Sequence, residues 1–337
     1  MSRRWFLHLA LLASSAGLAL VVAELVVRTF DLAPTAGITI ADAPTFARIP
    51  GVFTPSRRWR DVGFTVRYDA NIDSLGYRGA ERDPTMSANA LRIVFVGDSF
   101  AFGFGVQDED TWPAQLEASL ACDRPVIVYN AGVPGGSLPE AIAMADRARP
   151  LRPHAIVAEL TANDVRDLVG PTHWSLMEAR RRAGPLRDLA LRTLSHVGIW
   201  NLIRKVRDDV HSRALMASSA EQLEAAQARY VAMLEEWTTR LRQEGLPLVF
   251  AVYPSVEMLG AGDRTLQDWG LAAARRAGLD PVDLWPVLAR DGRPDDLYLV
   301  PRDAHPNRAG YGRAATATAL AVRSQVAAFA GCRVEQR

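Results

Sequence analysis

The chain has 337 residues, 49% of them apolar, and a formal net charge of +1. That apolar fraction is enough for a full core and excludes wholesale disorder, and so balanced a charge gives no global attraction for nucleic acid. The length suits one large α/β domain with attachments, or two small domains. Lys205 is the sole lysine, all other basic residues being arginine, which is read first as compositional bias.

Arg3 and Arg4 precede an apolar run from Trp5 to Val27 in which His8 and Glu24 are the only ionisable residues. At 1.5 Å per residue such a run crosses a hydrocarbon core of roughly 30 Å. Arginines before it and mixed charge after it (Glu24, Arg28, Asp31) place the N-terminus in the cytoplasm and the remainder outside, in the periplasm. Cleavage at Val21-Val22-Ala23, giving a secreted protein, is the alternative. An uncleaved anchor is favoured because the run continues past that site.

Residues 32–60 carry Pro34, Pro44, Pro50 and Pro55 without clean periodicity and read as an irregular spacer. Gly63–Gly79 (GFTVRYDANIDSLGYRG) partly alternates and reads as a short hairpin packed on the main domain. From Leu91 the pattern changes to apolar strands alternating with helices. The strands are LRIVFV from Leu91, Pro125–Asn130, His154–Leu160, Pro247–Tyr253 and a short one within Pro281–Leu288. Helical spacing covers Thr111–Cys122, Ser137–Ala148 and Arg308–Ala330. Strands apolar on both faces, alternating with helices, imply a parallel sheet covered on both sides. The expected organisation is an anchor over 1–30, a juxtamembrane extension over 31–90, and a domain over 91–332. Within that domain, 164–244 reads as a helical insertion rich in arginine: Arg180, Arg181, Arg182, Arg187, Arg192, Arg204, Arg207 and Arg213. A solvated face is the plain reading of these; a basic cap over the site or contact with an anionic membrane are the others.

Sites in such sheets form at the carboxyl ends of strands, and polar loops lie there. IVFVGDSFAFGFGV (Ile93–Val106) ends a buried strand on Gly-Asp-Ser. It has no lysine for a phosphate-binding loop, no third glycine for a dinucleotide fingerprint, and Ala101 where an α/β-hydrolase elbow has its last glycine. Asn130–Gly135 (NAGVPG) follows the second strand, Thr161–Asp164 (TAND) the third, and Asp303–Asn307 (DAHPN) precedes the last helix. Serine, outward backbone N–H groups, an amide and an acid-histidine pair at one sheet edge are the components of acyl transfer.

These four blocks, in this order from Leu91 to the C-terminus, resemble the SGNH (GDSL-type) hydrolase superfamily. With the N-terminal helix and NIDSLGYRG ahead of GDSF, the chain resembles its membrane-anchored bacterial branch. The resemblance implies a flavodoxin-like three-layer sandwich with about five parallel strands. It implies Ser99 as nucleophile, His305 as general base and Asp303 as its orienting acid, with Ser99, Gly135 and Asn163 forming the oxyanion hole. Two departures stand out. Thr161 replaces the usual glycine of the third block, where ordinary extended backbone is expected. The usual D-x-x-H is here D-x-H, with Arg302 in the customary acid position; Asp303 takes the role, and Asp295 and Asp296 are the reserves. The two-residue spacing also occurs in the branch resembling alginate O-acetyltransferases.

The remaining groups read plainly. Asp98 fixes the turn, Asp164 is structural, and Phe102, Phe104 and Trp112 are core or pocket wall. His8, His154, His173, His196 and His211 form no paired ligand spacing, so no metal and no cofactor are expected. In a flavodoxin-like sheet the helices ending near Cys122 and Cys332 run side by side, so a disulfide between them is expected in an oxidising compartment. The function implied is an extracytoplasmic esterase for acetyl or short-chain acyl esters, held to the membrane and independent of nucleic acid. An O-acyltransferase acting on cell-envelope glycans with the same residues is the alternative, and a non-catalytic glycan- or lipid-binding domain the second.

Overall fold

The computed structural model describes residues 3–30, 32, 57–62, 66, 68–81, 89–169, 190, 193–194, 196–203, 206–207, 210, 219–290 and 293–335. Of the spacer read over 32–60, residues 33–56 lie outside the described residues, as do His173, His211 and every arginine named in 164–244 except Arg207, while residues 57–60 are strand and not irregular. Helix α1 runs unbroken over Arg3–Thr29. Within Arg4–Thr29 an 18-residue window reaches a mean hydropathy of 2.2 and is almost wholly exposed, which makes the helix a candidate membrane span.

Two strands precede the main domain: β1, Arg57–Val62, pairs antiparallel with β2, Tyr68–Ile72. The second is followed by a turn in which Asp73 Oδ1 accepts from Leu75 N at 2.9 Å and Tyr77 N at 2.8 Å. That turn returns the chain so that Arg78 bridges both Ile72 and Asn130.

The domain then alternates. Strand β3 is Leu91–Gly97, followed by a single helical turn α2, Ser99–Phe102, and by α3, Trp112–Ser119. The short β4, Leu120–Ala121, leads to β5, Val126–Gly132, and α4, Leu138–Arg147. After β6, Ala155–Leu160, come α5, Ala220–Gln243, and β7, Leu248–Val252. Helices α6, Val256–Ala261, and α7, Thr265–Arg276, lead to β8, Val282–Asp283. The chain closes with α8, Trp285–Leu288, α9, Arg308–Gln325, and β9, Arg333–Val334.

Five strands form one parallel sheet in the order β5-β3-β6-β7-β8. Taking those five in chain order, the arrangement is second, first, third, fourth, fifth: the flavodoxin-like winding. Alternate residues of β3 serve opposite layers. Val94 and Val96 join the core under α4, α5 and α7, whereas Ile93 and Phe95 join the core under α3 and α9. This is why the strand is apolar throughout. The stretch 164–244 is thereby divided, because its last part is α5, which buries Tyr230, Leu234 and Trp237 against the sheet as an ordinary crossover helix.

Helix starts follow local chemistry. Ser137 and Glu140 form a capping box at α4, and Asn307 Oδ1 accepts from Ala309 N at 2.9 Å and Gly310 N at 3.1 Å at α9. Far along α3 and α9, β4 pairs antiparallel with β9. Beside that pair the sulfurs of Cys122 and Cys332 lie within bonding distance, with Cα atoms 4.3 Å apart.

Candidate active site

The winding order reverses between β3 and β6, and a crevice opens at their carboxyl ends. The first polar loop enters it. Buried Asp98 caps α2, its Oδ1 accepting from Phe100 N at 2.7 Å. The turn stops at Gly103, whose φ of 85° is open to glycine and strained for other residues. The residues after the strand are poor at starting a helix, and the chain makes one turn only. That turn raises Ser99, partly exposed, above the sheet. It passes so close to β5 that a Cβ on Gly132 would lie 2.6 Å from the Ala101 carbonyl carbon.

His305 meets the serine from the loop before α9. Its Nε2 lies 2.7 Å from Ser99 Oγ, and its Nδ1 lies 2.5 Å from Asp303 Oδ1. The two-residue spacing reaches because Asp303 forms an Asx-type turn: the same Oδ1 accepts the backbone N–H of residue 305 at 2.9 Å. Asp295 and Asp296 sit in the turn Pro294–Leu297 and contact His305 through no carboxylate among the described residues. The imidazole is packed by Phe104, with ring centroids 4.8 Å apart, and by Phe100 at 5.2 Å. Trp112 lies in the core, against Phe95 and Tyr253.

The oxyanion candidates stand on neighbouring loops. Among the described residues, no protein acceptor faces the N–H of Ser99 or of Gly135. Gly135 has φ of 73°, so its backbone takes a turn that side chains disfavour. Asn163 is held at both ends: Oδ1 accepts from Thr161 Oγ1 at 2.8 Å, and Nδ2 donates to Asp167 Oδ2 at 3.1 Å. The second Nδ2 proton is left for another acceptor.

Thr161, the departure from the family pattern, is a junction. Its Oγ1 lies 2.9 Å from Asp98 Oδ2 and 3.3 Å from Asp164 Oδ2, besides its contact with Asn163. Its φ is not positive, as expected. One hydroxyl proton cannot serve three acceptors. Burial and the charge of Asp98 hold the Asp164 carboxyl well above its ordinary range. Asp164 Oδ2 accepts from Thr161 N at 2.7 Å, which fixes this loop as Asp98 fixes the other. Burial likewise pushes Asp167 up to about 6.

Three contributors escaped the sequence reading. Glu159 is the one acid in the apolar run of β6, fully buried beneath the serine turn. Its Oε1 accepts from Asp98 N at 3.0 Å and Ala101 N at 2.9 Å, the amides on either side of Ser99 and Phe100. Burial, then the charge of Asp98, raises it well above a normal carboxyl. A Cβ on Gly97 would stand 2.6 Å from Glu159 Cγ, which is why the block begins with glycine. An acid inside an otherwise apolar strand is the signal that could have found it.

Arg78 is the second. Its buried guanidinium donates to Phe102 O at 2.9 Å, Gly103 O at 2.6 Å and Val106 O at 2.7 Å, and its Nε to Asp108 Oδ1 at 2.8 Å. It lies over the rings of Tyr68 and Phe102. Tyr68 in turn packs edge-on against Phe104, with centroids 5.4 Å apart. The segment ahead of the domain therefore braces the loop that carries Phe104 onto His305. Asp167, which orients Asn163, is the third.

The family described as GDSL-like lipase/acylhydrolase matches residues 95–313. LAE5, an alpha/beta hydrolase enzyme from the metagenome of Lake Arreo in Spain, is 19% identical; the match covers 72% of this chain and 99% of that one, with a TM-score of 0.44. A lipase/acylhydrolase from Enterococcus faecalis is 12% identical over 73% of this chain and 99% of its own, TM-score 0.41. A catalytic mutant of Axe2, an acetylxylan esterase from Geobacillus stearothermophilus, is 14% identical over 70% and 94%, TM-score 0.40. No curated protein matches the chain. The chain belongs to the GDSL-like lipase/acylhydrolase family and is a hydrolase acting on ester bonds.

Proposed function

From that membership we propose that the protein is a serine esterase of acetyl or short-chain acyl esters, tethered to the membrane by α1 with its catalytic domain outside the cytoplasm. The observation that carries the reading is the continuous path from Asp303 Oδ1 through His305 to Ser99 Oγ, at 2.5 Å and 2.7 Å. Ser99 Oγ attacks the ester carbonyl carbon while its proton passes to His305 Nε2. Asp303 holds the imidazole in the tautomer that presents a bare Nε2 and stabilises the imidazolium. The tetrahedral oxyanion is received by the N–H groups of Ser99 and Gly135 and by Asn163 Nδ2, donors worth about 3–4 kcal/mol of barrier each. Collapse expels the alcohol, which leaves with the proton from His305. Water then attacks the acyl-enzyme by the reverse route. A sugar hydroxyl in place of water makes the same residues an O-acyltransferase.

A fluorophosphonate probe tests the nucleophile, and p-nitrophenyl esters of rising chain length, with and without sugar acceptors, test the rest. Wild type should be labelled on Ser99 and should prefer the shortest esters. The Ser99→Ala protein should melt normally, take no label and cleave nothing. Turnover by that variant would remove the mechanism. An acylated sugar formed faster than free acid would move the assignment to the transferase.

A further inference from the structure

The stretch around residues 194–210 belongs to neither core cluster of the domain. It packs on α1 instead. Glu24 Oε1 accepts from Gly198 N at 2.8 Å and Oε2 from Ile199 N at 2.9 Å, while Arg28 donates to His196 O at 2.8 Å. Arg28 also pairs with Glu24 at 2.7 Å. Gly198 permits the approach, since a Cβ there would lie 2.9 Å from Val27 Cγ1. Val27 is buried by the contact. A carboxylate in an apolar helix is costly to place beside lipid unless it is paired; here two N–H groups and a guanidinium satisfy it.

The docked stretch faces outward with apolar side chains. Residues 198–203 are helical, as are 206, 207 and 210. Ile199, Ile203, Val206 and Val210 recur at helical spacing and share one face. Ile203, Val206 and Val210 are 57%, 55% and 59% exposed. The neighbouring surface of α1 is the same kind of surface, with Leu20, Val21 and Leu25 61%, 66% and 64% exposed. Leu20, Val21 and Leu25 on one side and Val197, Trp200 and Ile203 on the other line one groove of about 660 Å³. In sequence, Arg204, Lys205 and Arg207 are interleaved with the stripe.

We propose that the 197–210 stretch is a membrane-interfacial element whose apolar face lies in the headgroup and acyl-chain boundary of the leaflet that α1 leaves. The argument is one of depth. Glu24 to Arg28 span the last turns of a helix rising 1.5 Å per residue, within roughly 6 Å of one another along its axis. Whatever those two residues hold sits at the depth where the span meets water. An apolar stripe at that depth, continuous with the lipid-facing side of the span and flanked by basic residues, has the chemistry of an interfacial helix. The inference rests on reading α1 as a retained membrane span.

The test uses the full-length chain in vesicles of phosphatidylcholine and phosphatidylglycerol. Single cysteines replace Leu12, Ile203, Val206 or Ser324 and carry an environment-sensitive dye, without reductant, and lipids with a nitroxide high on the acyl chain act as quencher. Labels at 203 and 206 should emit to the blue of the Ser324 label and be quenched several-fold more strongly. Adding Glu24→Ala together with Gly198→Leu should return them toward the Ser324 value while the Leu12 label stays buried. If Leu12 is embedded while 203 and 206 behave like Ser324, the interfacial element is refuted and the anchor stands. If Leu12 is in water as well, both fail together.

Discussion

Replacing Asp167 with Asn gives the most direct quantitative check on the site's electrostatics. Asp167 has its pKa raised from 3.8 to about 6 by burial, against the opposing hydrogen bond from Asn163. A carboxyl with a raised folded pKa binds its proton more tightly in the folded state. Its contribution is fully present below pH 3.8, falls as pH rises between 3.8 and about 6, and is gone above that. A shift of this size corresponds to about 3 kcal/mol; partial exposure of the side chain brings the expected figure to about 1–3 kcal/mol. An asparagine at 167 keeps an oxygen to accept from Asn163 Nδ2 and cannot ionise. The Asp167→Asn protein should therefore match wild type near pH 4 and exceed it by about 1–3 kcal/mol at pH 7.5. Glu159 is raised in both proteins and largely cancels in the difference, while Asp164, whose own pKa is raised in part by Asp167, relaxes in the same direction. Urea unfolding of both proteins at several pH values reads this out. Parallel stability curves from pH 4 to 7.5 would show that Asp167 is not held up by burial, and the account of Asn163's support would fall with it.

Three further outcomes follow from the geometry. Asp303→Asn should lower kcat by about 10⁴ with the fold intact, whereas an equal loss from Asp295→Asn or Asp296→Asn would overturn the two-residue spacing. Arg78→Met removes the donor to Asp108 Oδ1 and to the carbonyls of Asp69, Phe102, Gly103 and Val106. It should cost about 3–5 kcal/mol of stability and lower kcat more than it raises KM, and a variant with wild-type melting and turnover would dismiss the brace. The Cys122–Cys332 pair closes a loop with a sequence separation of 210, so its loss by Cys→Ala replacement should cost at most about 5 kcal/mol. Two alkylatable thiols in the unreduced, denatured protein would exclude the bond.

Much of the architecture is legible without coordinates because it depends on patterns local in the chain. Apolar runs of five to seven residues set off by turn residues give β3, β5, β6 and β7; the blocks after β3 and β6 give Ser99 and Asn163, and the block before α9 gives His305. What could not be read depends on partners far away in sequence. Glu159 looks like an intrusion in β6 until it meets amides 58 and 61 positions earlier. Arg78 looks like an ordinary turn residue until it reaches Asp108 and the carbonyls beyond the nucleophile. Helix α5 reads in sequence as part of a helical insertion; that it is a crossover packed on the sheet is masked, because the polar residues of its other face hide the buried stripe of Tyr230, Leu234 and Trp237. Asp303 was half legible: the acid was visible, but only the turn geometry shows why two residues suffice.

The brace formed by Arg78 has a practical meaning for anyone shortening this chain. Alternation of strands and helices begins at Leu91, and that is where a cut invites itself. A chain starting there would keep every residue of the Ser99–His305–Asp303 path and lose Tyr68 and Arg78, the aromatic backing of Phe104 and the donor to the 102–106 carbonyls. Such a fragment would fold its sheet and still leave one wall of the crevice unsupported. The smallest unit worth purifying begins upstream of Arg57, so that β1, β2 and the turn after them travel with the serine.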